Sequence, residues 1–153
     1  MTVTIRAATL ADADRIADWQ VQMARETEDR ALDRGRVGRG VARCLADPAK
    51  GRYLVAELEG EPVGSLLLTT EWSDWRDGWF WWIQSVYLGS AARGRGVYKA
   101  LQAQVVAEAR ADPDVRGVRL YVEEQNTHAR QVYEALDFAN TSYRLYEIDF
   151  DAS

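Results

Sequence analysis

The stretch that most constrains this chain is Arg93-Gly94-Arg95-Gly96-Val97-Tyr98, set between an extended apolar run over residues 79–88 and a helical pattern over residues 96–110. A strand that passes through a glycine-rich turn into a helix leaves backbone N–H groups bare at the positive end of the helix dipole. Glycines let anionic oxygens approach that backbone closely, and two arginines add charge and donors. The simplest ligand for such a turn is a pyrophosphate. Other phosphate motifs fail on spacing. A P-loop ends in Gly-Lys-Ser/Thr, whereas Gly96 is followed by Val97. The dinucleotide fingerprint needs a third glycine at position 99, where Lys99 stands. A plain tight turn accounts for the glycines but leaves the arginines, the strand and the helix without a common purpose.

The rest of the chain reads as one domain without linker, repeat or low-complexity tract, and 153 residues suffice for one sizeable core. Residues 3–7 alternate as a first strand. Thr9 caps a helix that starts near Ala11 and turns Ile16 and Trp19 inward. The charged stretch 25–36 reads as an exposed helix end and loop, and a second helix over 36–45 stops at Asp47-Pro48. Strands over 53–58 and 63–69 are joined by Glu59-Gly60-Glu61-Pro62, a hairpin signal. Residues 79–88 form the longest strand. The helix that follows carries Val97, Leu101 and Val105 inward. Asp112-Pro113-Asp114 breaks the chain, 118–122 is a short buried strand, 126–136 is helical, and 143–150 alternates as a closing strand. The order β-α-α-β-β-β-α-β-α-β predicts an α/β fold with a mixed sheet flanked by helices.

Particular residues narrow this further. Ile5-Arg6-Ala7-Ala8-Thr9 leads to Asp12-Ala13, and Val63-Gly64 follows the hairpin. Val86-Tyr87-Leu88 precedes the Arg-Gly-Arg-Gly turn. Leu120-Tyr121-Val122 precedes Asn126, then Val132-Tyr133-Glu134 and Phe138. Together they resemble the GNAT superfamily of acetyl-CoA-dependent N-acyltransferases over nearly the whole chain. The resemblance implies one domain over 1–153, with a mostly antiparallel sheet of six to seven strands, splayed central strands and about four helices. It implies acetyl-CoA as the cofactor. The pantetheine arm would lie along Val86, Tyr87 and Leu88, the pyrophosphate on the amides of Arg93, Gly94, Arg95, Gly96, Val97 and Tyr98, and Asn126 would bond the arm from the other side. Two positions depart from the pattern: Tyr98 stands where the family has Gly or Ala, and Asp137 where it has Gly before Phe138.

The implied reaction is acyl transfer to a primary amine of a small molecule or peptide. An alkylammonium titrates near ~10.4, so the amine must shed a proton before it attacks. Tyr133 follows Asn126 by two helical turns and shares its helix face. The resemblance makes Tyr133 the general acid for the departing sulfur; a half-buried core aromatic is the plainer reading. The fourth strand, Ile83-Gln84-Ser85-Val86, carries no carboxylate, so Glu71 is the first candidate to bind or relay the amine's proton, unless it is only a solvated charge. Trp72, Asp74, Trp75 and Gln84 complete the expected acceptor site, since aromatic faces beside acids suit an ammonium. Glu123 and Glu124 are further candidates, and His128 has no catalytic role.

Composition excludes other classes. A net charge of -5 argues against a nucleic-acid partner, although arginines cluster between 30 and 43. The single cysteine, Cys44, cannot form an internal disulfide, so a reducing, cytoplasmic setting is expected. No leader, membrane span or metal is expected. Five of the six tryptophans fall between 72 and 82 and cover a helix, a substrate or a partner copy in a homodimer. A catalytically silent acetyl-CoA sensor of the same fold is the alternative to an enzyme.

Overall fold

The computed structural model describes residues 2–151. They form β1 (Val3–Ala7), α1 (Ala13–Glu28), α2 (Arg34–Ala46), β2 (Arg52–Leu58), β3 (Glu61–Ser73), β4 (Gly78–Leu88), α3 (Val97–Ala111), β5 (Val115–Arg119) and α4 (Thr127–Ala135). Short 3-10 turns at Leu10–Asp12 and Ser90–Ala92 precede α1 and the glycine-rich turn. Backbone contacts gather the chain into two compact units, Met1–Tyr121 and Val122–Ser153.

The first unit holds the sheet, ordered β1-β2-β3-β4-β5, with antiparallel pairs except for the parallel pair β4/β5. The fold class follows the sequence reading, but the described residues contain five strands rather than six or seven. The missing strand is 143–150. Its residues alternate as a strand should, yet they form none, and Tyr146, Ile148 and Phe150 are exposed. Alternation supplies a strand's faces, but only a hydrogen-bonded neighbour completes the ladder. Other boundaries shift as well. β5 covers 115–119 instead of 118–122, and β3 rather than β4 is the longest strand, because the β3–β4 hairpin extends through Glu71 and Trp72 to Ser73.

Local chemistry explains the ends. Asp29 closes α1 in the left-handed region at φ 49°, so the helix runs past the charges at 25–28. Asp33 opens α2 by accepting the N–H groups of Gly35 and Arg36. The β2–β3 turn uses Glu59 and Gly60, with φ 52° and 82°, the double left-handed pair of a tight hairpin. Asp12 is the polar anchor of α1. It accepts Arg6 Nη1 and Nη2 at 2.8 and 2.9 Å and the Thr9 N–H at 2.8 Å, and Arg6 holds its carboxyl below the usual aspartate range.

One face of the sheet buries Tyr53 and Val55 against Ile16, Ala17, Val41 and Cys44 of α1 and α2. The alternating residues Leu54, Ala56, Leu66 and Leu68 are also buried, and α3 packs on the sheet through Leu101, Val105 and Ala109. Burial raises the Cys44 thiol, so it acts as a small apolar core residue.

Candidate active site

Strands β4 and β5 part company halfway along β4. They pair at Trp79↔Val115, Phe80↔Gly117, Trp81↔Val118 and Trp82↔Arg119, and then the ladder ends. β4 continues to Leu88 with no partner on that side among the described residues. On its other side it stays paired with β3, but with an irregularity. Ser65 faces Tyr87 and Leu67 faces Gln84, so Ser85 and Val86 together oppose Leu66. This is a β-bulge, and Ser85 sits in it at φ 53°. A serine held left-handed in mid-strand needs support, and Gln20 of α1 supplies some by donating Nε2 to the Ser85 carbonyl at 3.3 Å.

The glycine-rich turn leads from β4 into α3. Gly94 and Gly96 adopt φ 74° and 77°, and a Cβ on either would meet no atom within 4 Å. Glycine is therefore required by conformation, and space lies beside the backbone. Gly96 is the N-cap of α3 and no side chain caps it. The amides of Gly94, Gly96 and Val97 make no hydrogen bond to described residues. Arg93 differs from the sequence expectation, because its amide donates to the Ser90 carbonyl at 3.4 Å. The cradle of bare amides thus starts at Gly94. The Arg93 side chain is occupied as well. Nε donates to the Leu88 carbonyl at 2.9 Å, and Nη2 meets Glu26 Oε2 at 2.6 Å. One carbonyl expected to face the pantetheine arm is therefore already held by an arginine. Tyr87 is buried beside Trp19, and its hydroxyl donates to Glu26 at 3.3 Å. Arg95 is exposed. Tyr98 is half-buried with its hydroxyl shielded from solvent.

The expected acceptor residues do not gather in one place. Glu71 accepts Trp82 Nε1 at 3.0 Å and pairs with Arg119 at 2.9 Å, so it is a strut across the fork of β4 and β5. Both of these partners meet Oε1, so an ammonium at Glu71 would approach the other carboxylate oxygen. Gln84 donates Nε2 to Thr69 Oγ1. Trp72 stacks edge-on against Trp79 at 4.9 Å, while Asp74 and Trp75 sit in the hairpin tip, Trp75 92% exposed. From Gly78 to Ser85 the strand extends roughly 23 Å, too far for the tip to reach the bulge. Trp82 lies beside Tyr121 at 6.0 Å, whereas Trp81 lies under Arg52 at 5.1 Å.

The second unit carries α4. Asn126 caps it, accepting the Ala129 N–H at 3.2 Å. Its C-terminus has the bonds of a Schellman motif: Phe138 N–H to the Tyr133 carbonyl and Asp137 N–H to the Glu134 carbonyl. Asp137 takes the left-handed position at φ 75°, a conformation that suits the glycine the resemblance leads one to expect there. The Tyr133 ring meets Phe138 edge-on at 6.0 Å, and burial pushes its phenol above the usual value of 10.0.

Sequence reasoning missed Gln20, Glu26 and the bulge at Ser85. Gln20, Met23 and Ala24 do share a helix face at i, i+3, i+4 spacing, but that pattern signals burial, not partners. Among the described residues there is no metal-binding cluster, and no helix is long and apolar enough to cross a membrane.

Comparison with known proteins identifies the family. The acetyltransferase (GNAT) family pattern matches residues 8–138. The chain is similar to the crystal structure of a "possible acetyltransferase" from Clostridium difficile 630, with 36% identity, a TM-score of 0.91, and 99% of this chain and 100% of that one covered. It shares its fold with a "predicted acetyltransferase with acetyl-CoA" from Clostridium acetobutylicum, at 16% identity, 96% of each chain covered and a TM-score of 0.77. The ribosomal-protein-alanine N-acetyltransferase from Brucella melitensis biovar Abortus 2308 is similar at 22% identity, with 97% of this chain and 99% of that one covered and a TM-score of 0.77. No curated protein matches the chain.

Proposed function

The chain belongs to the acetyltransferase (GNAT) family, and we propose that it transfers an acetyl group from acetyl-CoA to a primary amine of a small molecule or peptide. The observation that carries this reading is the open edge of β4 beyond Trp82, which leads into a turn with bare amides at Gly94, Gly96 and Val97. An amide-rich arm satisfies an unpaired strand edge, and a diphosphate satisfies helix N-terminal N–H groups. Open space beside Gly94 and Gly96 leaves room for a group to approach that backbone. Acetyl-CoA, when bound, supplies an activated thioester.

The chain's own residues have separate tasks. Gly94, Gly96 and Val97 hold the diphosphate through backbone donors, with Arg95 adding charge. Val86, in the stretch of β4 beyond the β5 ladder, orients the arm, while the Leu88 carbonyl is held by Arg93. Tyr133 Oη keeps its proton at neutral pH, because burial disfavours the phenolate, and is the donor for the leaving sulfur. Asn126 fixes the start of the helix that carries Tyr133. Glu71 and Arg119 brace the fork through Glu71 Oε1, and relay of the amine's proton would use the other carboxylate oxygen.

The test is thiol release from acetyl-CoA against a broad panel of amines. Thiol release that depends on the amine, with an acetylated product seen by mass, is expected. Tight acetyl-CoA binding without thiol release for any amine would replace the enzyme with a sensor of the same fold.

A further inference from the structure

A cavity of about 320 Å³ opens between α1, α2, β2 and the bulge of β4. Its size lies at the small end of the ~300–1,000 Å³ range of ligand sites. Met23, Ala24, Leu32, Val37 and Val41 supply an apolar lining. Gln20, Tyr53 and Ser85 also border it. Ser85 belongs to the stretch of β4 that has no partner on the β5 side. Gln20 anchors the Ser85 carbonyl, and the Tyr53 hydroxyl makes no hydrogen bond among the described residues. The charged lining residues, Glu28 and Arg30, are exposed and opposite in sign.

From this lining we infer that the cavity takes the apolar body of the acceptor, so that the acceptor is a compact hydrophobic monoamine rather than a polycation. The inference rests on the acetyl-transfer reading for the fate of the amine, but not for its binding. An apolar body gains by leaving water for these aliphatic walls. A polyamine or aminocyclitol would bury several charges there against a single carboxylate, with Arg30 repelling them. Glu28 can attract one ammonium, and the uncharged Gln20 and Tyr53 side chains can accept hydrogen bonds without a second charge.

Gly40 allows a direct test. It borders the cavity from α2, and a Cβ there meets nothing within 4 Å, so a larger side chain fills space without displacing a neighbour. The probes are 2-phenylethylamine and spermidine, titrated calorimetrically into the full chain with coenzyme A present, where no acyl group can move. Phenylethylamine should bind on the order of tenfold more tightly than spermidine, and Gly40→Phe should weaken phenylethylamine by a similar factor. An unchanged melting temperature establishes that Gly40→Phe folds. Glu28→Gln, a surface change, should weaken both amines and leave their order intact. Spermidine binding as tightly as phenylethylamine, no binding of either, or a Gly40→Phe variant with unaltered affinity would each overturn the inference. Phenylethylamine binding without thiol release from acetyl-CoA would instead retire the transferase reading and leave the cavity's preference standing.

Discussion

Glu26, near the end of α1, grips Arg93 at 2.6 Å and so ties that helix to the loop that precedes α3. The same carboxylate receives the Tyr87 hydroxyl, and the Arg93 guanidinium lies 5.6 Å from the centre of the Tyr87 ring. Arg93 holds Glu26 below its ordinary value of 4.5, so the clasp is closed at neutral pH and opens only when acid protonates the carboxylate. The helix that lines the cavity beside the β4 bulge is thereby coupled to the turn proposed to hold the diphosphate.

Glu26→Gln should release Arg93 from a full negative charge and leave it available to an anion. Acetyl-CoA should then bind a few-fold more tightly, with a steeper dependence on salt, as measured by calorimetry at two ionic strengths. Weaker binding would mean instead that Glu26 holds Arg93 where the cofactor needs it.

Gly96→Val places a β-branched residue at φ 77°. The left-handed backbone should cost roughly 1–2 kcal/mol of stability, visible in a denaturant titration. Its side chain also enters the space beside the bare amides. Acetyl-CoA affinity should fall on the order of tenfold or more, since about 1.4 kcal/mol corresponds to a factor of ten. Unchanged affinity would remove the diphosphate from this turn.

Tyr133→Phe keeps the ring that packs on Phe138 and deletes only the proton donor. kcat should fall on the order of 100-fold or more while the affinity for acetyl-CoA holds. Because burial raises the phenol's pKa above 10.0, the acid form survives past pH 10 in the wild type, and activity should be lost only at higher pH. A full-speed Phe variant would assign the proton to another group.

Asp12→Asn should destabilise the fold by about 2–3 kcal/mol, below the usual figure for a broken buried pair because Arg6 keeps some contact with water. The carboxyl's folded pKa is depressed below 3.8, so its contribution is present above the unfolded value and is lost as pH falls through the depressed one. The gap between wild type and variant, read by denaturant titration, should therefore close as the pH drops below about 4.

Much of the fold was legible because its signals are short-range. The hairpin turn at Glu59-Gly60, the asparagine cap of α4, the left-handed residue before Phe138 and the strand–glycine–helix passage each depend on a few neighbouring residues. The C-terminal segment shows the limit of such signals. Residues 143–150 satisfy the alternation of a strand as well as residues 3–7 do, yet only the latter have a partner, at β2. The tryptophan-rich tip shows a related limit. Its composition suits an ammonium site, but its distance from the bulge follows from the length of β4.

The sequence by itself determined where the chain can turn left-handed between strand and helix, since glycines at 94 and 96 admit positive φ without a Cβ penalty, although only the fold showed that the Arg93 amide is taken by Ser90. Only the tertiary structure decided that β4 leaves β5 after Trp82, that Ser85 is bent toward Gln20, that Glu71 is bound to Arg119 and that Glu26 holds Arg93. These relationships join residues far apart in the chain. Local periodicity cannot specify them, because they arise when helices and sheet pack and the leftover polar groups must find whichever partners the packing brings within reach.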